Sequence, residues 1–279
     1  GPLVMHARAG GLAVVFGAGA SASQGLPLWP DLLEDLSKRI DDFPMTAGDL
    51  ATLDPIDAAT ILIESAEDDE FATWMREILG RERHSLTHAL IASLRPSLAV
   101  TTNYDQGYEL AAEVVTGVPA TVLPWDTVTP GSAKVLKLHG DLKRGQIVLS
   151  RDQFVAMAAF RRPLSGILQE RMMIGHVLAV GTSMGDSTLV HAAEEVRALA
   201  HAVDPAHPRG TSGTVIFTTP QPARARLMQG TFDVATAGET TDRAEILEAA
   251  RRVDLFLDWL AMQASSDLFY DVFRRYDAG

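Results

Sequence analysis

Four short stretches of the chain combine glycine or other small residues with strong polar groups. They are Gly17-Ala18-Gly19-Ala20-Ser21, Thr102-Asn103-Tyr104-Asp105, His139-Gly140-Asp141 and Gly181-Thr182-Ser183-Met184-Gly185-Asp186. The first follows an apolar run directly. A glycine turn between a strand and a helix can lay backbone N–H groups against a pyrophosphate. Ala22 fills the place of the third small residue in a dinucleotide fingerprint. No acidic residue ends a second strand about 20 residues later, where that fingerprint holds a ribose. A tight turn without a ligand is the other reading of this stretch.

These stretches need a frame that gathers them. Leu12-Ala13-Val14-Val15-Phe16 is a continuous apolar run, the pattern of a strand buried on both faces. Further strands are expected at 98–102, 120–123, 135–138, 177–180, 214–218 and 234–236, with a short one at 147–149. Helical patterns cover 31–40, 57–67, 70–79, 84–94, 152–173, 189–203 and 243–263. Strands alternating with helices predict an α/β fold: a Rossmann-like parallel sheet with helices on both faces. The helical stretch at about 30–95 is too long for one crossover and predicts an accessory lobe inserted after the first strand. All four polar stretches then follow strands at the carboxyl ends of the sheet, where open α/β folds bind ligands. Residues 4–279 read as one domain, closing with C-terminal helices at about 243–276. Gly1-Pro2-Leu3 reads as the remnant of a cleaved tag.

Composition narrows the chemistry. The chain has 36 acidic and 24 basic residues, a formal net charge of −12, which argues against a main role in gripping nucleic acid. There is no cysteine, so disulfides, thiol nucleophiles and cysteine-based zinc sites are excluded. No apolar run approaches the ~20 residues of a membrane span, and no signal-peptide layout opens the chain. A cytoplasmic location is expected.

In this order the four motifs resemble sirtuins: Gly17-Ala18-Gly19-Ala20-Ser21, Thr101-Thr102-Asn103-Tyr104-Asp105, His139-Gly140 and Gly181-Thr182-Ser183. The resemblance spans about residues 12–240. Sirtuin deacylases carry a four-cysteine zinc ribbon after the His-Gly motif, and this chain has no cysteine. They follow the glycine loop with Ile-Pro-Asp-Phe-Arg, where this chain has Leu26-Pro27-Leu28-Trp29-Pro30. Their Thr-Gln-Asn is Thr101-Thr102-Asn103 here. The pattern is similar to the sirtuin-like domains of bacterial anti-phage defence proteins. Those hydrolyse NAD and so halt an infected cell.

The resemblance implies an NAD hydrolase that yields nicotinamide and ADP-ribose, with NAD as substrate and no metal. Loss of the cationic nicotinamide leaves an oxocarbenium-like ribose, and a water must be aimed at its anomeric carbon. His139 is the expected general base, directly or through a ribose hydroxyl. Asn103 can donate and accept, and so can position a ribose hydroxyl and the water. Asp105 either orients Asn103 or binds ribose, or it caps the next helix. Gly17, Ala18, Gly19 and Ser21 are assigned to the pyrophosphate, and Thr102 lines the same site. Gly181, Thr182 and Ser183 are assigned to phosphate or adenosine ribose. Thr218 is placed near the adenosine side. With no Lys or Arg in the four loops, backbone N–H groups and hydroxyls must hold the anion. A homo-oligomer and a partner protein or fused sensor domain are implied, with no nucleic-acid or membrane binding by this domain. Protein deacylation, ADP-ribosyl transfer and a non-catalytic nucleotide-binding assembly module are the alternatives.

Other residues read plainly. His84 and His88 have the i, i+4 spacing of a zinc-binding face, but Ser85-Leu86-Thr87 supply no glutamate and no third ligand is evident. A partly exposed helix surface is expected there. His176, His191 and His201 read as ordinary helix or helix-end residues. Met172, Met173, Phe256 and Trp259 read as core or interface. Glu67-Asp68-Asp69-Glu70 reads as a solvated connection, and Pro205–Gly210 as a surface loop. Phe269, Tyr270, Phe273 and Tyr276 form an aromatic closing segment available for packing.

Overall fold

The computed structural model describes residues 1–67, 70–203 and 210–265, the side chains of 157–161 excepted. Its strands are β1 (Leu12–Phe16), β2 (Leu98–Thr101), β3 (Thr121–Leu123), β4 (Lys134–Lys137), β5 (Gly140–Asp141), β6 (Gln146–Ile147), β7 (His176–Val180), β8 (Gly213–Phe217) and β9 (Phe232–Thr236). Seven of them form one sheet in the order β3-β4-β2-β1-β7-β8-β9. Every neighbouring pair in that sheet is parallel. β5 and β6 make a small antiparallel hairpin. The expected strand at 147–149 is this hairpin's second arm, shifted toward Gln146 because Gly140 pairs with Ile147.

The continuous apolar runs follow from the layering. Successive side chains of a strand point to opposite faces. Ala13 and Val15 of β1 join one core with Leu168 and Met172 of α9 (Arg151–Ile174) and Leu189 and Ala192 of α10 (Ser187–Val203). Leu12, Val14 and Phe16 join the other. There they meet Ile91 of α7 (Leu86–Ser93), Tyr108 and Ala111 of α8 (Gly107–Thr116), and Val253 and Leu257 of α12 (Arg243–Ala264). Both faces of the sheet are therefore covered, as the sequence pattern predicts. Residues 2–8 form an unanticipated helix, α1 (Pro2–Arg8), whose Leu3, Val4 and Ala7 pack on the second core.

The inserted lobe comprises α3 (Trp29–Ser37), α4 (Ala47–Ala51), α5 (Pro55–Ser65) and α6 (Glu70–Leu79). Leu36, Leu62 and Met75 centre a third core. Tyr104, Leu142 and Leu149 belong to that same core, so the lobe rests directly on the second polar stretch and on the residue that follows the third. α7 lies in the layer covering the sheet, because Ile91 and Ala92 turn toward β1 and not toward the lobe. The remaining helices are α2 (Ala18–Ser21) and α11 (Pro222–Met228). No described helix is long and apolar enough to cross a membrane. Asp68, Asp69, most of the Pro205–Gly210 loop, and Phe269, Tyr270, Phe273 and Tyr276 lie outside the described residues.

From β1 the sheet extends on one side through β2, β4 and β3, and on the other through β7, β8 and β9. The crevice at such a reversal, beyond the carboxyl ends of the strands, is where doubly wound sheets take ligands. The four polar stretches follow β1, β2, β4 and β7, and all of them open at that end.

Candidate active site

The first and fourth loops are pressed together. Gly19 N–H donates to Gly181 O at 2.9 Å. A Cβ on Gly19 would stand 2.8 Å from Gly181 O and 2.9 Å from Gly181 Cα. Gly181 itself has φ +60, and a Cβ there would stand 2.7 Å from Ala20 N. Two side-chain-free residues are thus required for β1 and β7 to close at their ends. Gly19→Ala should cost roughly 1–3 kcal/mol by forcing this contact apart. Chemical denaturation of variant and wild type measures the loss, and equal stability would show that the loops separate freely.

The second loop is tied to the first through Ser21. Ser21 Oγ donates to Asp105 Oδ2 at 2.8 Å and accepts from Asn103 Nδ2 at 3.0 Å. Asp105 Oδ1 accepts from Gly107 N at 2.8 Å at the start of α8. Of the three readings given for Asp105, two are present together in the geometry: it is linked to Asn103 through Ser21, and it accepts at the start of the helix. This arrangement fixes the amide plane of Asn103, whose side chain sits half-buried at the crevice. It also moves Ser21 away from its expected phosphate contact. Its hydroxyl is turned into the protein and the residue is only 2% exposed. Gly19 N–H is likewise committed, to Gly181. Gly17, Ala18 and Thr102 stay on the loops at the crevice.

Behind Ser21 lies His88, fully buried and not on a partly exposed helix surface. The α7 terminus explains this. Ser85 caps the helix and contacts His88 Nδ1 at 3.0 Å, and Ser85 Oγ donates to Ala20 O at 2.6 Å. His88 Nε2 is 3.5 Å from Ser21 Oγ. Burial pushes its pKa down to about 4. An unfolded histidine titrates near 6.5, so between these values the unfolded chain binds more protons. Stability should therefore fall as pH drops from about 6.5 to about 4, by on the order of 3 kcal/mol. His88→Gln should flatten that slope in thermal unfolding. An unchanged slope would assign it to other groups.

Lys137 is the group the sequence reading missed most completely. Its side chain is 0% exposed and its Nζ contacts Glu109 Oε1 at 2.7 Å and Asp141 Oδ2 at 2.5 Å. Nζ also donates to Asp105 O at 2.6 Å and Tyr104 O at 3.3 Å. Burial lowers its pKa, but Glu109 and Asp141 outweigh this and hold it above the usual lysine value. One ammonium thus bolts the second loop to the third. A lysine inside the apolar run Val135-Leu136-Lys137-Leu138 was the available signal.

The third and fourth loops close the circuit. His139 Nε2 lies 2.8 Å from Asp186 Oδ2, with the ring N–H turned off the ideal hydrogen-bond line. Asp186 Oδ1 accepts from Thr188 N and Leu189 N at 3.0 and 3.2 Å, capping α10. Burial raises the Asp186 pKa, but contact with His139 and the two amides outweighs this and holds it low. Phe154 meets the other side of the imidazole edge-on, with ring centroids 5.2 Å apart. Gly140 follows at φ +106, and a Cβ there would stand 2.0 Å from Gln146 O, so the hairpin demands glycine after His139. Asp105 and Asp186 repeat one device: each caps a helix with one oxygen and holds a polar site residue with the other.

Thr182 and Ser183 lie at the crevice rim, with their hydroxyls accepting from Met184 N and Gly185 N. Thr218 follows β8 at the same end of the sheet and is half-buried. Asn103, Asp105, His139 and the two glycine loops are thus joined through side chains. Thr218 is placed beside them without a bond to the circuit.

Residues 97–232 match the family model of the SIR2-like domain. The SIR2-like stretch begins at β2 and takes in the second, third and fourth polar loops, while the glycine loop after β1 precedes it. No curated protein matches the chain. Among solved structures, a Sir2 homologue in complex with NAD is 15% identical, with a TM-score of 0.48 and 91% of this chain and 90% of that chain covered. A Sir2 bound to acetylated peptide is 13% identical, with a TM-score of 0.42 and coverage of 87% and 91%.

Proposed function

We propose that this chain is an NAD hydrolase of the sirtuin-like kind, cleaving the nicotinamide–ribose bond, and that it serves as an anti-phage effector by depleting NAD. The observation that carries this reading is the closed circuit of four loops, which brings Asn103 and His139 to adjacent strand ends. Leu138 N donates to Thr101 O at 2.9 Å, so His139 and Asn103 leave neighbouring strands side by side. In the reaction the C1′–N bond breaks and its electron pair goes to the nicotinamide nitrogen. A water oxygen bonds C1′, and its proton passes to His139, directly or through a ribose hydroxyl. Asn103 holds the water or the ribose hydroxyl in line, with its amide fixed by Ser21. Asp186 keeps the imidazole aimed. The absence of cysteine favours cofactor hydrolysis over lysine deacylation, since it removes the zinc ribbon of sirtuin deacylases.

Chain 4–279 acts as one domain in this proposal, in a cytoplasmic homo-oligomer restrained until a partner protein or sensor domain signals infection. Product chromatography of NAD incubated with the protein tests the activity, with and without its candidate partner. Nicotinamide and ADP-ribose should appear in equal amounts. Acyl-lysine consumption strictly coupled to NAD would overturn the hydrolase reading.

A further inference from the structure

We propose that Arg224, together with the Ser183 hydroxyl, forms a phosphate-binding subsite at the rim of the crevice, an inference that rests on the dinucleotide reading above. The loops themselves carry no Lys or Arg, but α11 brings one to them. The two terminal nitrogens of Arg224 each lie 3.0 Å from where a Cβ on Gly185 would stand, and Ser183 Oγ is 3.2 Å from the same point. The guanidinium occupies the space left by the missing side chain of Gly185. It lies against the same loop that packs on Gly19 through Gly181 and on His139 through Asp186.

Arg224 is half-buried, and among the described residues it makes no ion pair with any carboxylate. By contrast, Arg252 pairs with Glu245, and Arg226 on the same helix bonds Gln229. A cation in the first turn of a helix is also disfavoured by the helix dipole, so Arg224 gains nothing from its own element. An anion arriving from the crevice satisfies it. A guanidinium presents paired donors that match phosphate oxygens, and the exposed Ser183 hydroxyl adds a third. The need is real in this fold, because Gly19 N–H and Ser21 Oγ, two donors expected to hold phosphate, are committed inside the protein.

A dinucleotide offers two phosphate sources here: the pyrophosphate, or a 2′-phosphate on the adenosine ribose. Calorimetric titration of NAD and of NADP into wild type, Arg224→Gln and the control Arg226→Gln separates them without requiring turnover. Arg224→Gln should weaken binding at least tenfold, while Arg226→Gln leaves it unchanged. Equal weakening toward both ligands assigns the pyrophosphate. Weakening toward NADP alone assigns the 2′-phosphate. Unchanged affinity for both, with wild type binding normally, overturns the subsite and leaves the proposed hydrolase intact. Wild type that binds neither ligand overturns the dinucleotide reading and the subsite with it.

Discussion

His139→Ala should slow nicotinamide release from NAD by about 10²–10⁴-fold, the range for losing a positioned general base. The His139 side chain and backbone are held from three sides. Asp186 Oδ2 sits 2.8 Å from Nε2, Phe154 packs edge-on, and Gly140 pins the backbone at the start of the hairpin. Asp186→Asn tests the positioning separately. It keeps an oxygen for the α10 cap but removes the charge beside the imidazole, so the pH–rate profile should shift while the fold holds. Asn103→Ala should also remove turnover, because Asn103 is the only side-chain amide in the four loops. Activated protein with His139→Ala that consumes NAD at the wild-type rate would refute the mechanism. A loss of turnover with unchanged ADP-ribose affinity would place the effect on chemistry and not on binding.

Lys137→Met should produce the largest loss of stability in the molecule, about 3–5 kcal/mol. That is the usual cost of breaking a buried ion pair by removing one partner. The variant strands the Glu109 and Asp141 carboxylates in the interior and removes a donor from the Asp105 and Tyr104 carbonyls, of which Tyr104 O keeps its bond from Leu142 N–H. Neutralising the orphaned acids in a Lys137→Met, Glu109→Gln, Asp141→Asn variant should recover part of the loss, since the unpaired charges dominate the cost. Urea unfolding of the three proteins decides it. Lys137→Met with wild-type stability would mean that the cluster is solvated and does not bolt the loops.

The sheet and the four loops were legible in the sequence, whereas the bonds between the loops were not. β1 and β7 announce themselves because strands buried on both faces must be apolar throughout. The positions of Asn103 and His139 follow from strand ends alone. Lys137, His88 and Asp186 take their roles from partners far along the chain. Nothing local near His88 indicates that Ser21 and Gly107 will close over it. α11 was missed because Pro222–Met228 is too short to show a helical period. Arg224 was hidden with it. The glycine loop was readable as a turn, but not the packing of Gly19 on Gly181, which exists only once β7 joins β1.

That last contact has a consequence for how the chain is made. β1 is synthesised before its neighbour β7, which, with Gly181 and Asp186, comes only after β2, β3 and β4. Pairings this distant in sequence form late and slowly. A nascent or truncated chain lacking the fourth loop has neither the partner of the glycine turn nor the carboxylate that aims His139. For a chain proposed to destroy a cofactor that its own cell needs, the strand order acts as a built-in delay: no chain that stops short of the fourth loop carries a complete site.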